Sequence, residues 1–237
     1  MRALLIPIVL AACEPTLHQK QSLPELVRAQ PLTSIRVPAV MMLPGETMTW
    51  NVIAKGFTIG RAELVVDDRE IRSRFETSKL VSTFARVRHE LVTVIDRGSA
   101  RSASEVVEID GETSRSQVQF VGSRYSTADR VGTVPDGNLG HTLHSALGVI
   151  RAWVHPDAHA GFLYVVHDGD VFRIDVARPI VEDLRGTKAL RIDCRLRGDV
   201  QVSVTIWLRA SDDRMPLRLE VGGDDVHLTA ELLETET

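Results

Sequence analysis

The stretch that decides the fold is VQVSVTIWLRASDDRMPLRLEVGGDDVHLTAEL, residues 200–232. Val200, Val202, Val204, Ile206 and Leu208 alternate with Gln201, Ser203, Thr205, Trp207 and Arg209. Met215, Leu217, Leu219 and Val221 repeat the pattern, and Val226, Leu228, Ala230 and Leu232 repeat it again. Successive side chains of a strand point to opposite faces, so period two over three segments predicts a sheet with one apolar and one wet face. Gly222-Gly223 lies between the last two runs, and such dipeptides supply the positive φ of tight hairpins. Pro216 has no N–H for the ladder, which predicts an edge position or an irregularity there.

Outward from this stretch the same alternation recurs. Met48, Trp50, Val52 and Ala54 alternate with Thr47, Thr49, Asn51 and Ile53, and Ala62, Leu64 and Val66 follow Gly56 and Gly60. Asp110-Gly111 and Asp168-Gly169 each sit between two runs, so neighbouring strands are expected to be antiparallel. One segment differs. Leu143, Leu147, Ile150 and Val154 recur at helical spacing, with Ala146, Val149 and Trp153 widening the stripe. His141, His144, Ser145, Gly148 and Arg151 fall on the opposite, polar face, and Pro156 stops the helix. A shorter helical turn is expected around Leu80 to Ala85. About ten strands with one apolar side must pack on a second layer or curl, and one helix is too small to cover them. The expected fold is therefore all-β with one central helix: an antiparallel, strongly curved sheet forming a half-barrel or barrel that the helix plugs. Its interior either leaves room for a ligand or is fully packed.

Composition narrows the function. In 237 residues the hydrophobic fraction is 43% and the charged fraction 25%, as in ordinary globular proteins. An aromatic share of 5% argues against stacking surfaces for sugars or single-stranded nucleic acid. The net charge of −4, with no basic block, argues against nucleic acid altogether.

The N-terminus carries the clearest functional signal. Met1-Arg2 is a positive n-region and Ala3 to Val9 an apolar h-region, too short to span a bilayer. Leu10-Ala11-Ala12-Cys13 matches the bacterial lipobox. A plain secretory leader or a buried N-terminal strand are the competing readings. In the lipoprotein reading residues 1–12 are a signal peptide and the Cys13 sulfur carries a diacylglyceryl group. Further acylation, with palmitate for example, then makes attachment effectively permanent. Residue 14 is Glu rather than Asp, which favours the outer membrane, facing the periplasm. Pro15, Pro24, Pro31 and Pro38 mark residues 13–43 as a stiffened tether, leaving 44–237 as a single β domain. The only other cysteine, Cys194, sits in a strand-like run and reads as a buried, inert thiol.

The sequence resembles a known family. Gly45-Glu46-Thr47-Met48-Thr49-Trp50 with Gly56, Gly60, Ala62 and Leu64 is similar to the opening of the bacterial family called domain of unknown function 3108. Ser145-Ala146-Leu147 with Arg151 resembles its central helix. Trp207-Leu208 and Asp212-Asp213-Arg214-Met215-Pro216-Leu217-Arg218-Leu219-Glu220 resemble its closing strand, turn and strand. The chain departs at Leu143-His144, where members commonly carry an Asp-Pro pair. The resemblance implies an exported protein and supplies no reaction.

Catalytic and metal chemistry finds little support. His141 and His144, three apart on the expected helix, and His155 and His159 around Pro156-Asp157, are weak metal candidates. No HExxH or GxSxG spacing occurs, and Ser145 lacks a nucleophile-elbow setting. Asp67-Asp68, Asp212-Asp213 and Asp224-Asp225 sit at strand ends, where Asp favours turns. No catalytic residue, metal or cofactor is expected. The leading expectation is an envelope lipoprotein binding a lipid or other apolar molecule, with Trp50, Val52, Leu64, Val204, Ile206 and Leu219 facing the ligand. A scaffold role with an envelope protein partner is the alternative, and a metal-dependent or serine hydrolase the least favoured.

Overall fold

The computed structural model describes residues 32–197, 202–223 and 227–236. In the first half the strands are β1 (Thr33–Ser34), β2 (Thr47–Ala54), β3 (Phe57–Val66), β4 (Glu70–Thr77), β5 (Val87–Asp96) and β6 (Ser99–Ile109). Next come β7 (Glu112–Val121), β8 (Arg124–Ser126), β9 (Val131–Thr133) and β10 (Gly140–His141), then the helix α1 (Leu143–Trp153). The second half holds β11 (Gly161–His167), β12 (Asp170–Val176), β13 (Ile180–Leu184) and β14 (Thr187–Arg197). The chain closes with β15 (Ser203–Arg209), β16 (Pro216–Gly222) and β17 (His227–Glu236).

Local chemistry explains the meander. Five hairpins turn through an X-Gly pair with both residues at positive φ: Lys55-Gly56, Arg97-Gly98, Asp110-Gly111, Asp168-Gly169 and Arg185-Gly186. Two positive φ values define the turn whose twist matches that of the flanking strands, and glycine takes the second one without steric cost. The alternation in β2 is kept, with Met48, Trp50 and Val52 buried. Pro216 marks the expected irregularity, because the β15–β16 register shifts between Trp207 and Leu208.

All the strands belong to one mixed sheet, ordered β1-β10-β11-β12-β13-β14-β15-β16-β17-β2-β3-β4-β5-β6-β7-β8-β9. The antiparallel expectation needs one amendment: β1 and β10 both pair with β11 in parallel. The sheet curls strongly, and its ends meet through side chains rather than through a ladder. Leu91, Ala103, Val118, Phe120 and Tyr125 from one arm pack on Tyr164 and Val166 of β11. The Tyr125 hydroxyl donates to the Gly169 carbonyl at 3.0 Å, and Arg130 pairs with Asp170 at 2.9 Å.

The helix occupies the hollow. Thr142 caps it: its hydroxyl accepts from the Ser145 N–H, and the Ser145 hydroxyl accepts from the Thr142 N–H. Ala146, Val149 and Ile150 pack on Leu163, Val165, Ile192, Ile206 and Leu208. The expected polar face is not wet. His144, Ser145, Gly148 and Arg151 are all buried, while Leu143 of the apolar stripe is 48% exposed. The stripe rule assumes water on one side of the helix, and here the curled sheet surrounds it.

Residues 32–43, expected as the end of a tether, lie within this body. Thr33 and Ser34 pair with β11, Ile35 is buried, and Met41 N–H donates to the Gly148 carbonyl at 2.9 Å. A Cβ on Gly148 would stand 3.0 Å from the Val40 Cβ, so glycine lets this segment cross the helix. The folded body thus begins by Thr33 rather than at residue 44.

Candidate functional site

The six apolar residues singled out from the sequence all face inward, but not onto a shared void. Trp50 and Leu64 pack with Met48, Val66, Ile71 and Met215; Val52 packs with Ile59, Phe75, Val87 and Leu228. Ile206 and Val204 join the cluster under the helix, and Leu219 bridges that cluster to the one around Trp50. Two clefts are notable elsewhere. One of about 30 Å³ lies between Glu105, Ser116, Thr142 and His167. The other, about 490 Å³ and open to solvent, is bordered by Leu32, Asp175, Asp193, Arg195 and Thr205. None of the six lines either cleft.

The chemically distinctive feature is polar and internal. Arg151 projects from α1 into a site with almost no solvent exposure. Its Nη1 and Nη2 donate to the Glu46 Oε2 and Oε1 at 2.9 and 2.7 Å. Nη2 also donates to the Asp213 carbonyl at 2.7 Å, and Nη1 approaches the Met42 sulfur at 3.5 Å. Nε has no protein partner among the described residues. A guanidinium fork matches a carboxylate in this bidentate geometry, which offsets the loss of water around two charges. The pair ties the helix to the start of β2 and to the β15–β16 turn.

Two turns earlier, His144 is held on both ring nitrogens: Nε2 lies 2.8 Å from the Ser73 Oγ and Nδ1 3.1 Å from the Thr93 Oγ1. Thr93 donates onward to Thr142 at 3.0 Å, and Thr142 lies 3.2 Å from the Ser145 Oγ. Ser145 is therefore a cap and network residue. Burial, with a smaller contribution from the charge of nearby His89, lowers the His144 pKa to about 4. The ring is neutral near pH 7, with one nitrogen able to donate and the other to accept. Beside this chain, Glu105 lies between His89 and His167 at the edge of the smaller cleft. Burial pushes the Glu105 carboxyl up, but the hydrogen bond from His89 and the His167 charge outweigh it, leaving it below the usual range.

The four histidines weighed as metal candidates do not converge. His141 is on β10, before the Thr142 cap, so it is not on the helix with His144. It is buried with Nδ1 unpartnered among the described residues, and burial lowers its pKa to about 4. His155 and His159 lie exposed in the loop after α1. Among the described residues no group of three or more metal-ligating side chains is placed to hold an ion. Asp67-Asp68 and Asp212-Asp213 fall in turns, as expected. Asp224-Asp225 and Cys13 lie outside the described residues. Cys194 is buried in β14, and burial pushes its thiol up to about 12.

Reading the sequence missed Glu46, Ser73, Thr93, His89 and Glu105. The usable signal was Arg151, the one charged side chain besides histidine in the helix, and the Thr142-x-x-Ser145 cap.

A strongly curved, unclosed sheet wrapped on one helix defines a β-barrel-like protein. Among solved structures the chain is similar to a β-barrel-like protein of domain of unknown function 1849 from Brucella abortus. The identity is 10%, the TM-score 0.59, and the match covers 84% of this chain and 99% of that one. At that identity the likeness shows the fold alone. A protein from Bacteroides fragilis, described as exported and of YmcC-like fold, aligns over 84% of this chain and 100% of its own. Its identity is 10% and its TM-score 0.32. No family model and no curated protein matches the chain.

Proposed function

We propose that the chain is an exported envelope lipoprotein, anchored through Cys13, whose β-barrel-like body is a non-catalytic interaction domain. The lipobox Leu10-Ala11-Ala12-Cys13 behind a charged, apolar leader supports the anchor, and Glu14 in place of Asp supports the outer-membrane location. Membership of the family of domain of unknown function 3108 belongs to the same reading and rests on the motifs around Trp50, Arg151 and Pro216. The observation that carries the choice of role is the filled interior. Arg151 and His144 fasten α1 inside the curled sheet, and the apolar residues that would have held a lipid pack on one another. The working surface is then the outside of the body. Carriage of an apolar ligand in the hollow that α1 fills would require the helix to leave, parting Glu46 from Arg151.

The test is expression of the full chain in a bacterium that processes lipoproteins. Fractionation and mass measurement of the N-terminal peptide should show a chain beginning at Cys13, acylated and in the membrane fraction. Cys13→Ser should abolish the acylation. A chain that keeps residues 1–12, or loses the leader at another bond with Cys13 unmodified, would overturn the anchor. Crosslinking in intact cells that recovers no protein partner would overturn the interaction role.

A further inference from the structure

We propose that the open edge of β7 takes an extended peptide segment carrying a lysine or arginine as an added strand. This names the surface and the partner chemistry of the interaction role above, and it rests on that role. β7 pairs with β6 from Glu112 to Gln119, but with β8 only from Gln119 to Val121. Its two tight turns fix which way the backbone points. Asp110-Gly111 joins Ile109 to Glu112 and Gly122-Ser123 joins Val121 to Arg124, so each flanking pair exchanges hydrogen bonds. The even-numbered residues of β7 therefore bond toward β6 and the odd-numbered ones toward β8. β8 stops at Ser126, where the chain turns away: Thr127 N–H donates to the Arg130 carbonyl at 2.8 Å and its hydroxyl to Asp129 at 2.7 Å. Thr113, Arg115 and Gln117 are left with N–H and C=O groups aimed at the line along which β8 would have continued. They have no backbone partner there among the described residues, and all are exposed. A row of free main-chain donors and acceptors is complementary to another main chain.

The cleft beside this edge indicates which side chain the added strand brings. The seam of the sheet is shut at Val118, which is buried against β11, and it widens toward Ser114 and Glu112, which are exposed. Where it begins to open lies the cleft of about 30 Å³, with Ser116 and Gln117 on one wall and Leu143, His167 and Asp168 on the other. Glu105 borders it from β6, directly opposite Ser116. Strands lie about 4.8 Å apart, so a lysine opposite Ser116 on the added strand can pass over that small hydroxyl to the Glu105 carboxylate. The cleft has room for an ammonium group of about the size of water.

The charge at the edge agrees. Glu105, Glu112 and Asp168 are the acids on the inner side of β7 and across the cleft, and the bases there are His167 and, behind Glu105, His89. The arginines nearby are turned away or paired. Arg115 stands on the outer face of β7, Arg130 is bound to Asp170 at 2.9 Å, and Arg86 flanks Asp110 at the β6–β7 turn. A second copy of β7 would bring Glu112, Ser114 and Ser116 to this side and no cation for Glu105.

The experiment selects a display library of random nonapeptides on the immobilised full chain. Enriched sequences should carry a lysine or arginine among β-branched residues, and a synthetic peptide of the consensus should bind in solution. Gln117→Pro should weaken that peptide about tenfold, because proline removes a free N–H and obstructs the added strand while costing β7 no ladder bond. Gln117→Ala should bind as the wild type does. Glu105→Gln should weaken the peptide about tenfold by removing the charge that the lysine meets. Methylating alternate backbone nitrogens of the peptide should abolish binding with the chain itself unaltered, so the edge is tested even if Gln117→Pro does not fold. A library that yields no enriched basic sequence, or a consensus peptide that binds Gln117→Pro as tightly as the wild type, overturns the proposal. So does self-association of the chain that Gln117→Pro abolishes, which would put a second copy on the edge. A cell partner crosslinked equally by the wild type and by Gln117→Pro overturns the edge and leaves the interaction role standing.

Discussion

Replacing Arg151 by Leu tests the internal tie most severely. The substitution removes a guanidinium that is fully buried and makes paired bonds of 2.7 and 2.9 Å to Glu46. Among the described residues it leaves the Glu46 carboxylate in the interior with one remaining partner, the Leu43 N–H at 3.2 Å, and removes the Nη2 donor from the Asp213 carbonyl. Breaking a buried pair from one side costs about 3–5 kcal/mol, a large share of the roughly 5–15 kcal/mol of a typical domain. With a urea slope of about 2–3 kcal/mol/M for a body of this size, the unfolding midpoint should fall by about 1–2.5 M. Glu46→Leu should cost a similar amount, because the arginine is then the stranded charge. The double variant should recover most of the loss, since two apolar side chains in place of a buried pair are often neutral or better. Urea unfolding followed by tryptophan fluorescence completes the cycle. A loss below about 1 kcal/mol for Arg151→Leu, or a double variant as unstable as the sum of the singles, would refute the reasoning.

Three further outcomes follow from the same interior. His141 and His144 have folded pKa values of about 4 against 6.5 for the free side chain, so between these values the unfolded chain binds protons that the folded one does not. Their contribution is intact above pH 6.5 and is lost as pH falls toward 4, by about 3 kcal/mol each, and His144→Gln should flatten the fall in stability across that interval. The Cys194 thiol, buried and raised to about 12, should resist a thiol reagent under native conditions and react promptly in 6 M guanidinium, about the concentration that unfolds even very stable domains; fast native labelling would contradict its placement. A Cβ on Gly60 would meet the Glu76 carbonyl at 2.3 Å and the Phe75 ring at 2.6 Å, so Gly60→Ala should lower stability by about 1–3 kcal/mol, and an unchanged thermal midpoint would show that the β3–β4 approach is looser than described.

The strand pattern was legible because one face of each strand is buried. Met48, Trp50 and Val52 are inside as the period of two requires; Ile206 and Leu208 are inside too, but Trp207 between them, expected on the wet face, is also buried. Turns were legible where the first residue was Asp. Lys55-Gly56, Arg97-Gly98 and Arg185-Gly186 adopt the same positive φ pair, but Lys and Arg carry no turn preference to announce it. The helix was legible in extent and misread in facing, because enclosure buries both sides and then polar residues mark internal bonds rather than solvent. Proline at positions 31 and 38 suggested a stiffened tether outside the domain, yet Ile35, Val37 and Val40 pack against the core. An extended segment can be fixed by its side chains when the sheet lends it a strand edge. Pairings such as His144 with Ser73, far apart in sequence, arise only from the curl of the sheet and have no local signature.

The measurement closest to the central claim is native mass spectrometry of the chain from residue 14 onward, purified without a histidine tag from a membrane-containing lysate. A body filled by its own helix should show the same mass under native and denaturing conditions. A stoichiometric adduct of lipid mass, released on denaturation and lost in Trp50→Ala or Leu64→Ala, would contradict the closed interior and restore the carrier reading.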